Sequence, residues 1–186
     1  NIQYDNDSLH IISQKASGSL RDALSLMDQI IAYSDQKIDI ETVSKIVGII
    51  KENIFLELLI TLEKKEIHNV MDQLNSVLNE GYSIIEFITG FNEYLRNCML
   101  YKAGKKLDVQ LSEESTNWLL ESKFTVTDFL RKLDLCLKFE SNLKFIKQAQ
   151  ISLESLFIKL SVMDLTIDIS ELIANSSQNI SFEKEN

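Results

Sequence analysis

No proline occurs anywhere in these 186 residues, and only five glycines do. Proline removes an amide donor and clashes with the preceding helical turn, and glycine is the next most costly residue in a helix interior. A chain without the first and nearly without the second has little to break a helix. The expectation is therefore an all-α fold. Apolar residues make up 45% of the chain, enough for a packed core rather than disorder.

Apolar residues recur at helical spacing in segments bounded by capping residues. Up to Gly48 the pattern predicts three short helices. The first runs from about Asn6 to Ser17 with Leu9, Ile12 and Ala16 inward, and Gly18 stops it. The second follows Ser19 and ends near Tyr33 or Ser34. Asp39 caps the third, whose Ile40, Val43, Ile46 and Val47 face inward before Gly48 closes it. A segment this short buries only a modest core and is expected to be marginally stable alone.

From Ile49 the helices lengthen. Asn53 to Lys64 carries Ile54, Phe55, Leu58, Leu59 and Leu62, and Glu66 to Asn79 carries Ile67, Val70, Met71, Leu74, Val77 and Leu78 before Gly81. Ser83 caps a long helix with Ile84, Ile85, Phe87, Ile88, Phe91, Leu95 and Cys98, ending near Ala103-Gly104. Ser112 caps a shorter one with Trp118, Leu119 and Leu120. Thr125 or Thr127 starts the next, with Phe129, Leu130, Leu133 and Leu137. The last runs from about Lys147 to Met163 with Ile151, Leu156, Phe157 and Leu160. Stripes this broad predict burial on more than one side, in a core or an oligomer interface. After Asp164 the pattern thins. Ile167, Ile169, Leu172 and Ile173 could add a short helix, and Asn175 to Asn186 reads as a frayed tail or linker. The expected organisation is a short helical unit over 1–48, a larger helical bundle over 49–164, and a short helix or polar tail over 165–186.

The net charge of −9 makes the chain a poor general binder of nucleic acid, which needs clustered Lys and Arg. Lys102, Lys105 and Lys106 form one small basic cluster and Arg131 with Lys132 another. Both are expected to be solvated faces. Cys98 and Cys136 lie within apolar patterns and read as buried free thiols in a reducing cytoplasm. His10 and His68 have no partners at metal spacing, so no metal site is expected. No apolar run reaches the ~18 residues of a membrane span, and no secretory signal is visible. There is no Gly-x-x-x-x-Gly-Lys-[Ser/Thr] loop to cradle a triphosphate. Nor is there a Ser-His-Asp or Cys-His arrangement, so no enzymatic activity is expected of this segment. The chain begins at Asn1 without methionine and reads as a piece of a longer protein.

The segment Gly18-Ser19-Leu20-Arg21-Asp22-Ala23-Leu24-Ser25-Leu26-Met27-Asp28-Gln29 carries the most specific chemistry. Ser19 reads as an N-cap and Asp22, three residues on, as its capping-box partner. Leu20, Ala23, Leu24, Met27, Ile30 and Ile31 form the apolar face, leaving Arg21 on the other side. A cation in a first turn opposes the helix dipole by a few tenths of a kcal/mol unless an anion is near. Free N–H groups plus a guanidinium make a phosphate site. The plainer alternative is a surface arginine neutralised by Asp22 or Asp28.

This segment resembles the sensor 2 region of the gamma/tau family of bacterial DNA polymerase III, the ATPase of the sliding-clamp loader. The family pattern is Gly-Ser-x-Arg-Asp-Ala-Leu-Ser-Leu-x-Asp-Gln. Ile46-Val47-Gly48-Ile49-Ile50 is similar to the family's lid-to-collar junction. Gly81-Tyr82-Ser83-Ile84-Ile85-Glu86-Phe87-Ile88, Leu95-Arg96-Asn97-Cys98-Met99-Leu100 and Leu111-Ser112-Glu113-Glu114 follow its third-domain pattern. Where the family has Asn-Pro-Arg-Leu, this chain has Gln148-Ala149-Gln150-Ile151, while Leu153-Glu154 keeps the following pair. Any role that the family gives that arginine is not carried over to Gln150.

The resemblance spans about Tyr4 to Asp164 and implies several things. Residues 1–48 would be the rear of an AAA+ helical lid, with the front of that lid outside the sequence. Residues 49–164 would be the collar domain that packs subunits into a ring. Arg21 would be the sensor 2 arginine, reaching the terminal phosphate of ATP held with Mg by the preceding domain of the full-length protein, an ATPase subunit. The segment alone would bind no cofactor. Implied partners are gamma/tau copies, delta and delta prime through the collar, with the sliding clamp and primed DNA contacted mainly through other domains. No membrane partner is implied, and a cytoplasmic location is. A stand-alone helical protein–protein adaptor with no nucleotide link is the alternative.

Overall fold

The structure is a computed structural model that describes residues 3–16, 18–33, 37–105 and 111–166. Helices α1 (Asn6–Lys15), α2 (Leu20–Tyr33) and α3 (Ile40–Val47) pack around Ile12, Ile30, Ile38, Val43 and Val47. Their starts are fixed locally. Asp5 Oδ1 accepts the Ser8 amide at 2.6 Å and Asp39 Oδ1 the Thr42 amide at 2.9 Å. Each satisfies an amide that a helix start leaves without a partner. Strands β1 (Gln3–Tyr4) and β2 (Lys37–Ile38) form a two-residue parallel pairing that the sequence pattern did not signal. Two residues are too few for an alternating pattern to register. The pairing ties the entry of α1 to the entry of α3 and leaves the all-α class as expected.

The larger bundle holds α4 (Glu52–Glu63), α5 (Ile67–Asn79), α6 (Ile84–Lys102), α7 (Glu113–Glu121), α8 (Val126–Asn142) and α9 (Ala149–Val162). Ser83 and Asp39 cap as the sequence indicates, as do Ser112 and Thr125. A 3-10 turn (Leu143–Phe145) separates α8 from α9, so the last helix starts two residues later than expected. α6 and α8 run antiparallel. Thr89 and Asn92 bond Glu140 at one end, and Lys102 Nζ donates to the Ser122 carbonyl at 2.9 Å at the other. The centre is aromatic, with Phe55, Phe87, Phe91 and Phe157 at ring-centroid separations of 5.2 to 6.1 Å. Each such pair adds about 0.5–1.5 kcal/mol beyond area burial. Gly90 permits this packing, because a Cβ there would lie 2.8 Å from Phe55 Cζ.

Several predicted inward residues face outward. Leu20 and Leu24 are 75% and 53% exposed, because α1 and α3 cover only the Ile30 side of α2. Ile85, Leu120, Leu130, Leu137 and Ile151 are exposed on the bundle. Lys132, expected in solvent, is 2% exposed with its Nζ 4.6 Å from the centroid of the Phe124 ring. The stem packs in apolar surroundings while the ring face accommodates the charge. Lys106 and the tail helix expected around Ile167, Ile169, Leu172 and Ile173 lie outside the described residues.

Beyond α9 the chain is strapped to the base of the bundle. Lys65 Nζ bonds Asp164 Oδ1 at 2.8 Å, and Arg131 donates to the Asp164 carbonyl at 3.1 Å. Asp128 Oδ1 accepts from the amide and hydroxyl of Thr166 at 2.8 and 2.7 Å. Its other oxygen completes the capping box with Thr125.

Candidate functional site: the arginine of the second helix and the junction below it

The start of α2 is built from three local features. Gly18 takes φ +84, a left-handed value that reverses the chain after Ala16. The Ser19 amide then donates to the Ala16 carbonyl at 2.8 Å. Ser19 Oγ accepts the Asp22 amide at 3.3 Å, so Ser19 is the N-cap. The expected capping box is only half made. With the Ser19 amide already bonded to Ala16, nothing is left for the Asp22 carboxylate to reach back to.

Arg21 is exposed on the first turn. It stands nine positions before Ile30, which is fully buried, and nine positions are about two and a half turns. The guanidinium therefore projects opposite the packed face. Its backbone carbonyl accepts Ser25 Oγ at 2.9 Å. Among the described residues, no hydrogen bond or ion pair engages its guanidinium, so neither Asp22 nor Asp28 neutralises it there. The arrangement offers an anion one strong bidentate donor beside a positive helix end. It fits one contact to a phosphate and is too small to enclose a triphosphate. Among the described residues, no three His, Cys, Asp or Glu side chains are grouped to hold a metal ion.

Below this unit lies the junction with the bundle. Gly48 ends α3 at φ +71 with its amide on the Ser44 carbonyl. An added Cβ there would overlap Oε1 and Cδ of Glu86. The other carboxylate oxygen of Glu86 accepts from the Ser83 amide at 3.0 Å and the Ser83 hydroxyl at 2.6 Å, completing the capping box of α6. The carboxylate that caps the start of α6 thus lies directly against the stop of α3. Ser83 was legible as a cap, but the contact of Glu86 with Gly48 was not. Beside it, Glu52 Oε1 accepts from the Ser112 amide, the Ser112 hydroxyl and the Ser115 hydroxyl at 2.9, 2.8 and 2.5 Å. Tyr94 extends this network through Ser115 at 2.7 Å. Burial pushes the Tyr94 hydroxyl well above its usual range.

Cys98 and Cys136 are buried free thiols, and burial pushes both up to about 12. Protonated and enclosed, they act as small apolar core residues. No helix among the described residues is long and apolar enough to cross a membrane.

Two family models match the chain. Residues 1–36 match "DNA polymerase III clamp loader subunit, ATPase lid domain", and residues 38–174 match "DNA polymerase III subunits gamma and tau domain III". The chain is 26% identical over 162 residues to the DNA polymerase III subunit tau of Bacillus subtilis, covering 86% of this chain and 29% of that protein. It is 33% identical over 119 residues to the gamma/tau subunit of Mycoplasma genitalium, covering 62% of this chain and 19% of that protein. It is also 39% identical over 71 residues to the gamma subunit of Buchnera aphidicola, covering 38% and 19% respectively. The chain thus spans less than a third of the length of each of these relatives.

Proposed function

Because this chain belongs to the family of DNA polymerase III gamma and tau subunits, matched over residues 38–174, we propose that it is the lid-and-collar portion of a clamp-loader subunit. In this reading residues 1–48 are the rear of the ATPase lid, 49–164 the collar, and 165–186 the tail that leaves it. The collar packs against other loader subunits: further gamma/tau copies, delta and delta prime. The complete protein is an ATPase that binds ATP with Mg through its preceding domain. The assembly loads a sliding clamp on primed DNA. In this reading the segment is not an enzyme on its own, and the ATPase chemistry belongs to the preceding domain.

Arg21 is the sensor of bound nucleotide. The observation that carries this is its exposed guanidinium, without a partner among the described residues, in the first turn of α2 opposite Ile30. A terminal phosphate would satisfy both the arginine and the positive helix end. Because α2 is packed on α1 and α3, pulling on Arg21 moves that unit as a body, and Gly48 is the hinge about which it turns. ATP then favours one lid angle by as much as it binds that angle better.

Arg21→Ala in the full-length protein tests this. One charge-assisted hydrogen bond contributes about 1.5–3 kcal/mol, so ATP-dependent clamp loading should fall roughly 10- to 100-fold. Subunit assembly should be unchanged, since Arg21 is remote from the bundle core. Loading at the unmodified rate would remove the sensor role.

A further inference from the structure

A groove of about 470 Å³ opens at the junction of the two units. Phe55, Ile85 and Leu111 give it an apolar floor, and Ile85 is exposed into it. Its rim carries Glu52, Glu86 and Glu93, with Lys15 the one cation among the described lining residues. Glu52 and Glu86 are already engaged within the chain. Glu93 is exposed, and among the described residues it makes no hydrogen bond or ion pair. The groove is therefore apolar at its base and net negative at its edge.

Elsewhere on the same chain is its counterpart. Phe145, at the end of the 3-10 turn between α8 and α9, is 83% exposed. Exposed Lys144 and Lys147 flank it. An exposed aromatic ring with a lysine one position before it and another two positions after it is complementary to a groove with an apolar floor and a carboxylate rim. Phe145 does not line that groove, so the chain does not fill it with its own ring.

We propose that Phe145 of one copy of this chain seats in the junction groove of a second copy, with Lys144 and Lys147 against Glu93 and Glu86. This rests on the collar reading and names the surfaces through which like subunits meet. Two copies can exchange knob and groove reciprocally; repeated head-to-tail, the contact leaves a free knob and a free groove at the ends unless the subunits close into a ring. It also bridges the hinge, because Lys15 of the first unit and Glu93 of the bundle both line the groove. A neighbour's ring inserted there makes the hinge angle of one subunit depend on its neighbour.

The test is sedimentation velocity of this chain over a range of concentrations, with Phe145→Asp and Glu93→Lys. Phe145 is exposed, so its variant should melt as the parent does. Each variant should weaken self-association, Phe145→Asp by about thirtyfold or more, the scale of a hot-spot aromatic. Glu93→Lys copies mixed with Lys144→Glu copies should regain association by exchanging charge at that pair, with Lys147 and Glu86 unchanged. Phe145→Cys copies mixed with Asn97→Cys copies should crosslink to each other, since Asn97 lines the groove. Self-association unaffected by Phe145→Asp, or no crosslink in assembled samples, overturns this contact and leaves the collar reading intact. A parent chain that stays monomeric throughout overturns a second copy as the occupant. The collar reading fails separately, if the full-length protein does not assemble with loader subunits.

Discussion

Gly48→Ala asks whether the stop of α3 and the cap of α6 are one structural unit. Gly48 sits at φ +71, and an L-residue in that region costs about 1–2 kcal/mol. The added methyl would overlap the Glu86 carboxylate. That side chain is flexible and can swing aside at little steric cost, but only by leaving the Ser83 amide and hydroxyl. Losing this half of the capping box costs about 1 kcal/mol. Gly48→Ala should therefore destabilise by about 2–3 kcal/mol, summing those two contributions. Glu86→Ala alone should cost about 1 kcal/mol. In the double variant the cap is lost once rather than twice, so the total should stay at about 2–3 kcal/mol rather than the additive 3–4. The assay is urea unfolding of all four proteins followed by circular dichroism, compared at unchanged slope. A double variant whose effect equals the sum of the singles within about 0.3 kcal/mol would refute the coupling through the Glu86 carboxylate.

Two further outcomes follow from buried groups. Burial alone would raise the Asp128 carboxyl, but hydrogen bonds from Thr125 and Thr166 outweigh it and hold the group below its usual range. A carboxyl lowered in the folded state contributes stability that is full above the unfolded value, near pH ~4, and is lost as pH falls through the folded value. Melting temperature measured from pH 6 to pH 2 should show this acid loss, and Asp128→Asn should flatten it; an unchanged acid limb would exclude Asp128 as a contributor. Cys98 and Cys136, buried and raised to about 12, should resist a thiol reagent at pH 8 in the native chain and react fully in guanidinium. Rapid native labelling of either would contradict their enclosure.

What the sequence disclosed follows from the range of the interactions involved. Ser83, Ser112 and Asp39 were legible as caps because a cap is a bond between residues three apart. The side of α2 on which Arg21 stands was legible for the same reason, since helical phase is local. The exposure of Leu20, Leu24 and Ile85 was not, because periodicity gives the direction of an apolar face and not how far its neighbours cover it. Lys132 was hidden by its neighbour Arg131, which suggested a solvated pair. A better signal was Asp128 one turn before it together with Phe124 two turns before it. The contact between Gly48 and Glu86 joins residues 38 positions apart by their numbering, which no local pattern reports.

The strap beyond α9 determines how the bundle bears tension. A pull on residues downstream of Thr166 would otherwise peel α9 away from its end, one turn at a time, the direction in which a helix resists least. Asp128, Lys65 and Arg131 intercept that force first. It passes into the start of α8 and the turn between α4 and α5, and several polar bonds must shear together before the last helix carries load. A load applied beyond Thr166 therefore reaches the start of α8 before it unravels the helix that fills the core with Phe157.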